Sequence, residues 1–456
     1  MAIQKKDIDL LSDQPISSVE EDEFGRKDFV NSIAEIIHSQ ATQVNPENKK
    51  GVKNIDENMI IGIYGEWGFG KSSILNMLKS NLENDRQLKT VYFNPWMYGS
   101  EDQIIISLFN VIIENCGLKG NEYSEFIKWM KKYYPLVSAV NATTGRFIEG
   151  VLKTFGDDTW SSNASYCKQQ IDRILSSTAN PLVIFIDDVD RLSKSEIQVL
   201  FKTLRLIASF KHVIYVIACD FNMVARSIKE NYVDGSVEDG KSFVEKIIQI
   251  PIQIPQIHSD KLFEYAANYV EMTTDVNIRN GTIKGLFEHY FHTPRDVKRL
   301  INSYRFAQIS IGDKLVPQDL FALELIRVKV HDLFEIVKIY YLATKSLSPD
   351  SFYNRGVRSY VNKNHPEFLK NGSSFDSENR EVAVFDSVFR SLFGSGLATL
   401  AFKNIANPAG SSLPYRKHVE QNRHPNKLSL RNPENLKTYF EFVSNNNDVH
   451  DELNPS

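Results

Sequence analysis

Cysteine is scarce in this chain and long apolar runs are missing. Its three cysteines, Cys116, Cys167 and Cys219, stand far apart and form no C-x-x-C pair. Neither a disulfide framework nor a structural zinc site is supported, and a reducing compartment is implied. No stretch reaches the about 18 uninterrupted apolar residues that a membrane span requires. Ile104 to Ile113 is too short, and Tyr134 to Leu152 is broken by Asn141, Arg146 and Glu149. The opening residues Met1 to Asp7 lack the apolar centre of a signal peptide. A cytoplasmic protein without a membrane span is therefore expected. Excess positive charge is also absent, since the formal charge is −4 and gives no global case for binding nucleic acid. The hydrophobic share of 42% and charged share of 24% are those of an ordinary soluble protein. Its 456 residues leave room for two or three domains with their own cores.

What is present is concentrated between Met59 and Ile74. A β-branched apolar run breaks into a glycine-rich turn at Gly65, and a segment with helical spacing follows Lys71-Ser72. Gly65, Gly70, Lys71 and Ser72 fit G-x-x-x-x-G-K-[ST] in the strand, loop, helix order that a phosphate-binding loop needs. In such a loop successive backbone N–H groups converge on an anion and the helix adds its positive end. The nucleotide-binding residues are then Gly65, Glu66, Trp67, Gly68, Phe69, Gly70, Lys71, Ser72 and Ser73. Lys71 would reach the β- and γ-phosphates of a nucleoside triphosphate, and the Ser72 hydroxyl would join the shell of a magnesium ion. Trp67 and Phe69 are unusual on such a loop.

Leu182 to Ile186 is an unbroken apolar run, the pattern of a strand buried on both faces of a parallel sheet. It ends in Asp187-Asp188, and carboxylates in that place are costly unless they hold a cation or a polarised water. Asp187 is assigned to magnesium, and Asp188 to orienting the attacking water. A second buried strand, Val213 to Asp220, also ends on a carboxylate. Asp220 is a candidate sensor of the γ-phosphate or, alternatively, the cap of a helix from Phe221 to Lys229. Upstream, Gly25-Arg26 forms a turn before an amphipathic helix from Lys27 to Ser39, and both residues are candidates for contact with the nucleotide.

A long, mostly helical insertion is expected over residues 100–180, with helices at Gln103 to Asn115, Glu122 to Tyr133, Gly145 to Phe155 and Ser165 to Leu175. Lys194 to Phe210 reads as a helix, and Lys246 to Pro255 as the last core strand. Helices then begin at Leu262 and Ile283. Thr293-Pro294 is a helix start that sets Arg295, Lys298 and Arg299 on one face. That face is either solvated or part of a helical lid in which Arg295 or Arg299 meets the phosphates. Leu320 to Tyr341 is a further helix. Ser411 to Arg431 is locally basic, and frayed residues are expected from Ser444 onward.

Six stretches together resemble the KAP family of P-loop NTPases. They are Gly65 to Ser72, Phe93-Asn-Pro-Trp-Met-Tyr98, Ile186 to Leu192, Val216 to Asp220, Glu245 to Pro251 and Pro294 to Asn302, in that order. The resemblance implies an α/β fold, a P-loop NTPase of the additional-strand type. Its parallel sheet would have the Asp220 strand between the two Walker strands, followed by a helical lid. Many members carry transmembrane helices between the Walker motifs, where this chain has only its insertion. That points to the soluble prokaryotic branch, associated with defence against phage and plasmids.

The expected organisation is a P-loop core over residues 1–255, a helical lid over 256–341 and a mainly α-helical C-terminal region over 342–456. The expected activity is magnesium-dependent ATP hydrolysis driving a conformational or assembly switch, with ATP and Mg2+ bound and a protein partner or self-association. A nucleotide-loaded scaffold with negligible turnover is the alternative. A nucleic-acid sensor or translocase rests on the basic stretch alone. Guanine specificity is disfavoured because no NKxD element follows the loop. Arg191 and Arg205 are candidate fingers for a neighbouring subunit's phosphates.

Overall fold

The computed structural model describes residues 10–42, 59–115, 120–126, 169–175, 181–207, 212–229, 236–274, 276–279, 281–329 and 434–451, with a few single positions besides. The chain divides into two compact units, one of Gln14–Gln256 and one of Met1–Asp13 with Ile257–Ser456.

The first unit is built on a five-stranded sheet of β1 (Met59–Tyr64), β2 (Lys89–Phe93), β3 (Leu182–Ile186), β4 (Val213–Cys219) and β5 (Ile250–Gln253). The order is β2-β3-β4-β1-β5 and each pairing is parallel. β4 thus lies between the strand before the glycine-rich turn and the strand before Asp187, as the family resemblance implies. The three inner strands are buried throughout, which is why each reads as an unbroken apolar run. β5, at an edge, alternates partly buried and exposed residues and tolerates Pro251 there.

Side chains alternate across this sheet with the period of two that a strand imposes. Ile61, Ile63, Phe185, Val216 and Ala218 face one core, shared with α1 (Lys27–Thr42) and α2 (Lys71–Asn84). Ile60, Ile184, Ile186, Tyr215 and Ile217 face the other, which also takes α3 (Glu101–Asn115), α4 (Lys194–Ile207) and α5 (Phe221–Lys229). Phe126, Ile171, Ile174 and Leu175 of the insertion are buried in that second core. The expected helix at Gly145 to Phe155 lies outside the described residues.

Two expectations need correction here. The strand expected from Lys246 is only four residues long, because residues before it complete the turn that leaves α6 (Val237–Glu245). That helix was not anticipated, although Ser236 and Asp239 form a capping box at its start. The helix expected to reach Phe210 is described to Ile207, and Phe210 itself is not helical.

The second unit is helical: α7 (Ser259–Thr274), α8 (Gly281–Tyr290), α9 (Pro294–Ile311), α10 (Pro317–Lys329) and α11 (Glu434–Asp451). Thr293 accepts the Asp296 N–H at 3.1 Å and Pro294 takes the first helical position. Residues of the N-terminal segment run along α9, where Leu11 exchanges hydrogen bonds with the Asn302 amide and Arg295 pairs with Asp13 at 3.0 Å. α11 runs to Asp451, into the stretch expected to be frayed from Ser444. It is tied to α10 through Glu324, a fully buried carboxylate that accepts from Tyr439 at 2.7 Å, Ser303 at 2.5 Å and Arg327 at 2.6 Å. A buried charge is tolerable only with such partners. The basic stretch at Ser411 to Arg431 lies, but for Leu430, outside the described residues.

Candidate nucleotide site

In a parallel sheet the carboxyl ends of all strands open on one edge, and ligands bind outside them. Here β1, β2, β3 and β4 deliver Gly65, Asn94, Asp187 and Asp220 to that edge.

The loop after β1 is anchored by the Gly65 N–H, which donates to the Cys219 carbonyl at 3.2 Å. Gly68 and Gly70 have φ of 87° and 85°, a left-handed backbone that glycine adopts without steric cost. At Gly70 a side chain would also approach the Arg26 guanidinium, with Nη1 2.9 Å from an added Cβ. Lys71 opens α2 and is buried. Its ammonium donates to the carbonyls of Gly65 at 2.9 Å and Glu66 at 3.3 Å, and pairs with Asp190 at 2.5 Å.

Asp187 is buried, with Ser72 and the Asp188 N–H as hydrogen-bond donors, the latter at 2.8 Å. Desolvation raises its pKa in spite of these donors and of nearby Lys71. A buried carboxylate held above its ordinary value beside a serine hydroxyl is a donor set suited to a hard cation. Magnesium keeps waters and phosphate oxygens among its ligands, so one carboxylate and one hydroxyl from the protein suffice.

Asp188 turns the other way. Its backbone is left-handed, with φ 55° and ψ 27°, and it begins a single 3-10 turn over Val189–Arg191. With three residues per turn, positions three apart fall on one face. Asp188 and Arg191 accordingly pair at 2.9 Å, while Asp187 meets the loop serine and Asp190 the loop lysine. The second Asp188 oxygen accepts from the Asn94 amide at 2.8 Å. Arg191 also lies over the Trp96 ring, 4.8 Å from its centroid.

The remaining predicted residues are placed as follows. Asp220 acts as a helix cap in this structure, its Oδ1 accepting the N–H groups of Asn222 at 2.9 Å and Met223 at 3.1 Å. Its own N–H donates to Asp190 at 2.6 Å. Arg26 is buried against the loop, donating to the Phe69 carbonyl and to Pro255 at 3.5 Å. Burial lowers its pKa to about 10, so it stays charged near neutrality. Gly25, at φ 73°, shapes the turn that presents it. The Ser73 hydroxyl accepts the Ile16 N–H at 3.3 Å. Phe69 is buried, whereas Trp67 is 57% exposed. Arg205 is exposed. Arg295 and Arg299 belong to the second unit, where Arg295 pairs with Asp13.

Sequence reasoning passed over Asp190, Asn94 and the Asp188–Arg191 pairing. The three-residue spacings of Asp187 with Asp190 and of Asp188 with Arg191 were the available signal, but they acquire meaning only on a 3-10 turn.

The model of the KAP family P-loop domain matches residues 26–308. The phage T7 exclusion protein of Escherichia coli (strain K12) is 23% identical over 354 residues, 66% of this chain and 47% of that protein, so the chain spans about half the length of this relative. Among solved structures, Aeropyrum pernix ORC1 in complex with DNA aligns at 11% identity and a TM-score of 0.34, covering 81% of this chain and 82% of that one. Cdc6p from Pyrobaculum aerophilum aligns at 11% and 0.35, covering 82% and 96%. A matched region that takes in the glycine-rich loop, the Asp187 turn and the Asp220 strand places the chain in the KAP family of P-loop NTPases.

Proposed function

We propose that this chain binds ATP with magnesium at the edge formed by β1, β3 and β4 and hydrolyses it. The observation that carries the reading is the contact between Ser72, on the phosphate loop, and buried Asp187, on the neighbouring turn. Magnesium, when bound, would screen the β- and γ-phosphate charge. The loop N–H groups and the start of α2 bind the phosphates, and Lys71 adds a full charge to them. Arg26 stiffens the loop from behind through the Phe69 carbonyl. Asp188 orients water for in-line attack once an oxygen is released from Arg191 or Asn94.

The nucleotide cycle is proposed to drive a conformational or assembly switch with a protein partner or further copies of the chain. The likeness to a phage exclusion protein supports a role in defence against phage. Purified protein should bind Mg-ATP and release phosphate, with binding dependent on Lys71 and turnover on Asp188. Absence of ATP binding by the intact protein would overturn the reading.

A second reading is supported by the double hold on Asp188. With both oxygens engaged, by Arg191 and Asn94, the protein could remain loaded with ATP and turn over only when a partner frees that carboxylate. Binding without phosphate release by the isolated protein is its expected signature.

A further inference from the structure

We propose that Asp190 sets the affinity of this site for nucleotide by holding the Lys71 ammonium and yielding it to the phosphates. The inference rests on the nucleotide-binding reading above and adds a residue to which the two Walker motifs assign no part.

An ammonium has three protons to donate. Lys71 directs its own at the Gly65 carbonyl, the Glu66 carbonyl and Asp190, so the carboxylate is the only charged group among these partners. The side chains of Lys71 and Asp190 are each only 10% exposed, which limits the screening of their attraction by water and salt. The other Asp190 oxygen accepts the Asp220 N–H at 2.6 Å, fixing the carboxylate to the end of β4. Asp190 is therefore clamped in place, and the lysine is the member of the pair with freedom to move, having a flexible four-carbon stem.

When Lys71 turns to a triphosphate it exchanges one anion for another. Asp190 then keeps its negative charge in a largely dry place, beside an incoming polyanion and without its counter-ion. That residual repulsion opposes binding and grows with the number of phosphate charges near Lys71. It also gives the β4 end a means of registering nucleotide, because Asp190 bonds both the moving lysine and the Asp220 backbone. Asp190 is a positioning residue in this scheme, acting on the phosphates through Lys71.

The test is the affinity of intact protein for ATP, ADP and adenosine, with and without magnesium, in wild type and Asp190→Asn. The amide oxygen keeps an acceptor for the Asp220 N–H, while the charge is lost and an NH2 group replaces the oxygen that faces Lys71. ATP should bind the variant about tenfold tighter or more, a gain of ~1.4 kcal/mol. ADP should tighten less, and adenosine should not change, a pattern that a merely structural role would not produce. Asp190→Ser, uncharged and smaller, should reproduce it if the asparagine variant fails to fold. Equal or weaker ATP binding by a folded variant overturns the role of Asp190 and leaves the nucleotide reading intact. Failure of wild type to bind ATP overturns both.

Discussion

Asp188 holds a backbone conformation that few residues accept. At φ 55° and ψ 27° it is left-handed, a region where asparagine and aspartate are the best-tolerated residues after glycine. Asp188→Asn therefore keeps the turn and removes the carboxylate. Phosphate release should fall by about 10²-fold or more, while the dissociation constant for Mg-ATP stays within a small factor of wild type. Retained turnover would move the water-positioning role to another residue. The same turn explains what was legible at this scale. Gly65 to Ser72 and Asp187 could be assigned because a phosphate loop and a strand-end carboxylate are contiguous in sequence. Asp190 could not, since its meeting with Lys71 depends on the reversal at Asp188 and on one 3-10 turn. Asn94 was within a recognised stretch, yet nothing in its neighbours announces that its amide reaches Asp188 at the end of the adjacent strand.

Among elements, α5 and α6 approach each other closely at a glycine. A methyl group added at Gly240 would stand 2.0 Å from the Ala225 carbonyl oxygen, and backbone cannot rotate aside as a side chain can. Gly240→Ala should separate the helices and lower stability by about 1–3 kcal/mol, read as a fall in thermal midpoint. In the second unit, Tyr439→Phe deletes one donor to fully buried Glu324. A loss of about 1–3 kcal/mol is expected, with faster amide exchange in α11 as the local readout. The inner strands were readable from sequence because burial on both faces leaves no polar position to confuse them. β5 was overextended because Ile247 and Ile248, apolar and buried, continue its pattern while belonging to the turn after α6. α11 was missed because its asparagine-rich end, Ser444 to Asp451, has poor intrinsic helix propensity.

For the molecule as a whole, the site is a place where stability and ligand binding pull in opposite directions. Asp187 is held above the ordinary carboxylate pKa by desolvation. The folded protein thus keeps its proton to higher pH than the unfolded chain does. Stability falls as pH rises from the unfolded value through the raised one, and the full penalty applies beyond it. Asp187→Asn should raise the thermal midpoint near neutral pH without nucleotide, and that advantage should shrink on acidification. Mg-ATP at about 100 times its dissociation constant should stabilise wild type by ~2.7 kcal/mol, a shift the variant should largely lose. Calorimetric scans across pH, with and without Mg-ATP, check both. A midpoint unchanged by the substitution would remove desolvation as the governing cost. Among the described residues no helix is long and apolar enough to cross a membrane.

Arg191 rests on the Trp96 indole while pairing with Asp188. The indole is 53% exposed, and the chain has only three other tryptophans, Trp67, Trp129 and Trp160. With those three changed to phenylalanine, the emission of Trp96 becomes an optical gauge of one ion pair. A guanidinium leaving its face should alter intensity and wavelength on the timescale of a stopped-flow trace, so that the freeing of Asp188 can be timed against phosphate release.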